Sequence, residues 1–274
     1  MKRSIRTVVM GAAIGATALM AQQGKKGPAP KSQNELKAVQ AVFTASQQNN
    51  PDGVITAAED LLSKFKDTEF KDTVLMMEAQ SYQQKGDKDK EQIYAERALA
   101  ANPNNFQAAL MLADVTVQGT REHDLDLNDK LAKADKYANQ AITSVTAAEK
   151  PNPQLTDQQW ADFKKDTIAQ AHDALGMSAI DRKDWDKAIS ELKMATEGAA
   201  HPEPAYLVRL ASAYQSAGKY DEAIAQAEKV MNDSQVPQQI RSVAQSVRAS
   251  AVMAKNGGKP ATQNAPPQVE INRQ

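Results

Sequence analysis

From about residue 35 to residue 256, apolar side chains recur every three or four positions, and short polar turns interrupt the runs. That period puts the apolar residues of each run on one face of an α-helix. The stretch Leu210 to Val230 is the clearest case. Leu210, Ala211 and Tyr214 share a face of a first helix, and Gly218 ends it, because glycine tolerates a left-handed C-terminal residue cheaply. Tyr220, Ala223, Ala227 and Val230 then form the stripe of a second helix. Small alanines at the crossing allow close approach of the two helices, with larger side chains filling beside them. Upstream, Leu175-Gly176 and Ala179, followed by Trp185, Ala188, Leu192 and Ala195, repeat the pattern. Leu175 to Leu210 and Trp185 to Tyr220 are both separated by 35 residues. Turn signals such as Asn102-Pro103-Asn104-Asn105 and Lys150-Pro151-Asn152-Pro153 separate the runs, and no strand run is present to make the Asn-Gly pair at Asn256-Gly257 a hairpin turn.

Two more copies follow the same rule. Ala79, Tyr82, Gly86, Ala95, Ala98, Leu99 and Pro103 make one, with Glu91 at a position where a small residue is usual. Phe106, Leu112-Ala113, Ala134, Ala138 and Ala141 make the other, with an insertion around Arg121 to Asn128. A poorer first copy spans about Lys37 to Glu69, with Ala57 and Leu61 in its second helix. The unit resembles the tetratricopeptide repeat, a helix–turn–helix of ~34 residues with a Leu-Gly pair, a Tyr, then Ala, an apolar residue and Ala. The resemblance implies an all-α fold: a right-handed α-solenoid of about five repeats over residues 35–236. Residues 154–165 are expected to extend the helix that opens the fourth repeat, with Thr156 or Asp157 as its cap and Trp160 and Phe163 packing on a neighbour. Residues 237–256 are expected to form a closing helix with the stripe Ile240, Val243, Val247 and Ala251, because a last repeat otherwise exposes its stacking face.

Composition agrees with helices: Ala, Leu, Gln, Lys and Glu dominate, and aromatic residues make up only 5%. The first 21 residues differ. Lys2, Arg3 and Arg6 precede an uncharged, mostly apolar run, Thr7 to Met20, and Ala21 comes before a polar stretch. This is the layout of a secretion signal cleaved after Ala21. The run is shorter than the ~20 apolar residues of a spanning helix, and it is continuous rather than amphipathic, which disfavours a membrane anchor and a transit peptide. Residues 22–33 read as a flexible linker, 34–256 as the repeat domain and 257–274 as a disordered tail. Without the signal, 30 Lys and Arg stand against 34 Asp and Glu, a net charge of −4 with no global attraction to nucleic acid or anionic lipid. Cysteine is absent, so neither disulfides nor a lipidated N-terminus are available, and the expected location is the periplasm or the cell exterior.

Catalytic and cofactor motifs are lacking. There is no HExxH, no phosphate-cradling glycine loop and no GxGxxG, and His123, His172 and His201 are far apart in sequence. No cofactor and no enzymatic activity are expected. The insertion carries one partial metal pattern: Asp124, Asp126, Asn128 and Asp135 stand at the first, third, fifth and twelfth places of a calcium loop. The pattern has Asp129 where glycine is needed for the sharp turn, and its last ligand is Asp rather than Glu. A polar insertion whose Asn128 or Asp129 caps the following helix accounts for the same residues.

In the repeat family the first helix of each unit lines the concave groove. That frame assigns to the groove Gln80, Gln83 and Gln84; Gln107, Leu110, Asp114 and Gln118; Gln170, Asp173 and Met177; Val208, Ser212, Gln215 and Ser216. The set is rich in amides and hydroxyls and holds no Lys or Arg, unlike repeats that grip a chaperone C-terminal carboxylate with Lys and Asn. Such a face suits an extended peptide backbone of a protein partner. The convex face or the tail is the other place for a partner to bind. The implied function is an exported scaffold for a protein or peptide partner, with neither nucleic acid nor a membrane anchor involved. The second class is an enzyme or accessory subunit with its site on residues 119–130.

Overall fold

The computed structural model describes residues 27–258, which form eleven α-helices and no strand among the described residues. The proposed signal and almost all of the proposed tail lie outside them. The helices are α1 (Gln33–Gln47), α2 (Pro51–Lys64), α3 (Lys71–Gln84), α4 (Lys88–Ala101), α5 (Phe106–Gly119), α6 (Leu127–Ala147), α7 (Asp157–Asp181), α8 (Trp185–Gly198), α9 (Pro204–Ser216), α10 (Tyr220–Asn232) and α11 (Gln238–Lys255). They fall into five helix–turn–helix pairs and one closing helix, the all-α repeat architecture read from the spacing. The chain divides into two compact units, the first running to Ala108 and the second starting at Ala109.

One local device builds most of the pairs. Where a first helix ends, one residue turns left-handed: Asn49 (φ 52°), Gly86 (φ 72°), Lys183 (φ 61°) and Gly218 (φ 76°). The next residue's N–H reaches the carbonyl five residues back, in Asn50→Ala45, Asp87→Tyr82, Asp184→Ala179 and Lys219→Tyr214. This closes a Schellman turn. At three of the four turns that same residue caps the second helix: the side chains of Asn50, Asp87 and Asp184 accept from the N–H groups of Gly53, Lys90 and Lys187. Two residues therefore stop one helix and start the next. Exposed ion pairs follow the same period: Asp52, Asp186 and Asp221, each second in its helix, meet Lys85, Lys219 and Lys255 near the end of the following first helix. Being exposed, each contributes at most about 1 kcal/mol, so packing must supply the stability.

Packing rests on alanine crossings. Ala58 and Ala95 in the first unit, and Ala134, Ala188, Ala195, Ala223 and Ala227 in the second, are 0–1% exposed. Leu61, Leu75, Leu112, Leu131 and Leu192 fill the space beside them. Gly176 shows how tight one crossing is. A Cβ there would lie 2.6 Å from Leu192 Cγ and 2.8 Å from its Cδ2, and Leu192 is fully buried. Alanine gains about 1 kcal/mol of helix propensity over glycine, whereas overpacking costs about 1–3 kcal/mol. Gly176→Ala is therefore expected to lower the urea midpoint despite being the better helix former.

Several local expectations change in the structure. Part of the stretch read as a linker is fixed: the Ala29 N–H donates to the Glu69 carboxylate at 3.0 Å and Lys31 Nζ to the Asp67 carbonyl at 2.6 Å. Helix α6 begins at Leu127, so Asn128 and Asp129 lie inside it rather than capping it. Asp126 holds the cap position without a capping bond, because its carboxylate pairs with Lys130 at 2.9 Å, one turn on. Thr156 does cap α7, in a reciprocal box with Gln159. Trp160 and Phe163 stack on each other along α7 at 5.3 Å between ring centroids. In α11 the fully buried stripe is Ala244, Val247 and Ala251, with Ile240 and Val243 at its margin.

Candidate functional site

Three polar pairs in the second unit skip the second helices, joining first helix to first helix and the last first helix to the closing helix. Gln170 of α7 donates to Asp114 of α5 at 2.7 Å. Arg209 of α9 pairs with Asp173 of α7. Gln215 of α9 donates to Ser250 of α11 at 2.8 Å. Successive first helices are therefore neighbours, and a ladder of polar pairs runs across the face they share. Asp114, Asp173 and Gln215 are 8%, 2% and 6% exposed, so their side chains are largely committed to these bonds.

This changes the composition expected of the groove. Asp173 and Gln215 are interior braces of the helix face, and Ser212 is also buried. Arg209, absent from the set read in the sequence, brings a cation to the face and is neutralised there by Asp173. Met177 is half-buried against Val117, Leu131 and Ala134. Gln118 is exposed, and Gln170 and Ser216 are half-buried. In the first unit, Gln84 is exposed, Gln80 is half-buried, and Gln83 is exposed while its amide donates to the buried Glu91 of α4 at 2.8 Å.

The partial calcium pattern does not converge. Asp124 accepts from the Arg121 N–H at 3.0 Å and pairs with Lys130 at 2.9 Å, which together hold its carboxyl below the usual range. Asp126 shares Lys130, while Asp135 pairs with Arg182 at 3.2 Å and Lys187 at 3.4 Å. Asn128 is exposed in the first turn of α6. Among the described residues, no group of three or more His, Asp or Glu is placed to hold a metal. The histidines are also separately engaged: His172 Nδ1 lies 2.8 Å from Glu191 and His201 Nδ1 2.8 Å from Asp166.

Two of these stacked helix pairs match the tetratricopeptide repeat. The matched segments are residues 73–105 and 204–232, which are the α3–α4 and α9–α10 pairs. A solved structure described as a thermophilic TPR protein in Thermus thermophilus is 21% identical, covers 80% of this chain and 99% of its own, and superposes with a TM-score of 0.46. No curated protein matches the chain. Tetratricopeptide repeats generally mediate protein–protein interactions. Among the described residues, no helix is long and apolar enough to cross a membrane.

Proposed function

We propose that this protein is an exported, non-catalytic tetratricopeptide scaffold. On this reading the mature chain begins near Gln22, and an extended segment of a protein partner lies along the face formed by α5, α7 and α9. The observation that carries the reading is the ladder Asp114–Gln170, Asp173–Arg209 and Gln215–Ser250, which braces the first helices against one another. A braced face orders little on binding, so less of the interaction energy is lost to entropy. Gln118, Gln170 and Ser216 remain accessible on it and offer donors and acceptors to a peptide backbone without net charge. The basic start and the apolar run Thr7 to Met20 support export.

The test begins with capture of partners from a cell-envelope extract by the full chain. Gln118→Lys and Ser216→Lys are then expected to weaken a captured complex about tenfold each, with unchanged melting temperature, since neither side chain is in the core. Binding by the parent should change little between low and high salt, because the face carries a neutralised ion pair rather than a single-sign field. Unchanged binding by both variants would move the partner off this face. An intact Met1 on protein recovered from cells would refute the cleaved signal.

A further inference from the structure

The first unit contains an acid where its sister repeats carry leucine. Ala79 and Tyr82 of α3 correspond to Ala113 and Thr116, Gly176 and Ala179, and Ala211 and Tyr214 in the later first helices, each pair three residues apart. The residue before the small one is Leu112, Leu175 or Leu210 in those copies, at 0%, 4% and 2% exposure. In α3 it is Glu78, which is 0% exposed. Neither of its carboxyl oxygens has a hydrogen-bond partner. The other buried acid of the same pair, Glu91, is satisfied by Gln83.

Burying an unpaired carboxylate is far more costly than burying leucine, so the group has to be neutral to sit there. Its surroundings agree. Glu59 of α2 faces it with like charge, and Tyr82 and Tyr94 are in electrostatic contact with it. The two rings stack at 5.1 Å, and the Arg97 guanidinium of α4 lies over Tyr94 at 4.8 Å. The cation that faces Glu78 thus sits on the outer side of α4, engaged with an aromatic ring.

We propose that Glu78 is a proton-operated latch: its neutral carboxyl lets α3 pack between α2 and α4, and loss of the proton draws it towards Arg97 and loosens that packing. Burial, reinforced by Glu59 and opposed by Arg97, pushes Glu78 up to about 8 from an ordinary 4.5. The folded protein then holds a proton that the unfolded chain has released. Stability is fully present below about pH 4.5, falls as pH rises, and the contribution is gone once pH passes about 8. Asp181 in the second unit, pushed up to about 6 by burial, titrates in a lower window.

The experiment is thermal melting of the full chain between pH 6 and pH 9, with Glu78→Gln as the permanently neutral form, alongside the carboxyl 13C titration of Glu78 in the parent. The parent is expected to lose about 5 °C or more relative to Glu78→Gln across that interval. Amides of α3 and α4 in the parent are expected to exchange faster at pH 9 relative to the same amides in the variant. The 13C resonance is expected to titrate well above the usual glutamate range. Parallel melting profiles for the two proteins, or a 13C midpoint near 4.5, would overturn the latch. If the variant does not fold, the 13C midpoint in the parent decides alone.

Discussion

Ala188→Arg is expected to abolish cooperative melting of the second unit or to lower its stability by more than about 3 kcal/mol. Ala188 is 0% exposed and belongs to the cluster that joins α7, α8 and α9 through Ala179, Leu192, Leu210 and Ala213. A crossing built on alanine has no volume for a long flexible stem, and the guanidinium at its end would be dragged into a site closed to solvent. The two penalties act together, so relaxation that relieves the overlap still leaves a desolvated charge. Ala223→Arg probes the next crossing in the same way, since Ala223 is also 0% exposed. Ser190→Arg, on the exposed side of α8, is the control for charge alone and is expected to melt within about 0.5 kcal/mol of the parent. Circular dichroism melts of the three variants are the measurement. A normal melt for Ala188→Arg would show that the α7–α8 crossing is not where the repeat spacing puts it.

What is legible in the sequence depends on the range of each signal. Gly218, the cap of α7 and the Ala223–Ala227–Val230 stripe are encoded within a few residues, and each is found where the spacing puts it, with Thr156 rather than Asp157 supplying the cap. The turn at Lys183 is harder to read. The repeat expects glycine there, and only the matching bonds Lys183→Ile180 and Asp184→Ala179 show that lysine takes the same left-handed turn. Features that depend on two distant positions are not legible. Asp173 and Arg209 are 36 residues apart, and nothing local to either one announces the pair. The repeat frame therefore makes Asp173 and Gln215 open contact residues, although α9 covers the one and the closing helix α11 the other. Glu78 is legible in principle, as the odd member of the series Leu112, Leu175 and Leu210, but periodicity scores only that a position belongs to a face. It does not record that an acid has no partner there.

The ladder itself is open to a sharp energetic test at its central pair. Arg209→Met is expected to cost about 3–5 kcal/mol in urea unfolding, because it leaves the Asp173 carboxylate buried without its guanidinium. The Asp173 side chain is 3% exposed and the Arg209 side chain 11%, so solvent screens little of the change. Combining Asp173→Leu with Arg209→Met removes both charges and fills similar volume, and should recover most of the loss, to within about 1–2 kcal/mol of the parent. The double variant also separates stability from recognition. If the pair serves only to brace α7 against α9, the stable double variant should retain a captured partner with near-parental affinity. A stable double variant that no longer holds the partner would instead place the Asp173–Arg209 pair in the binding contact itself.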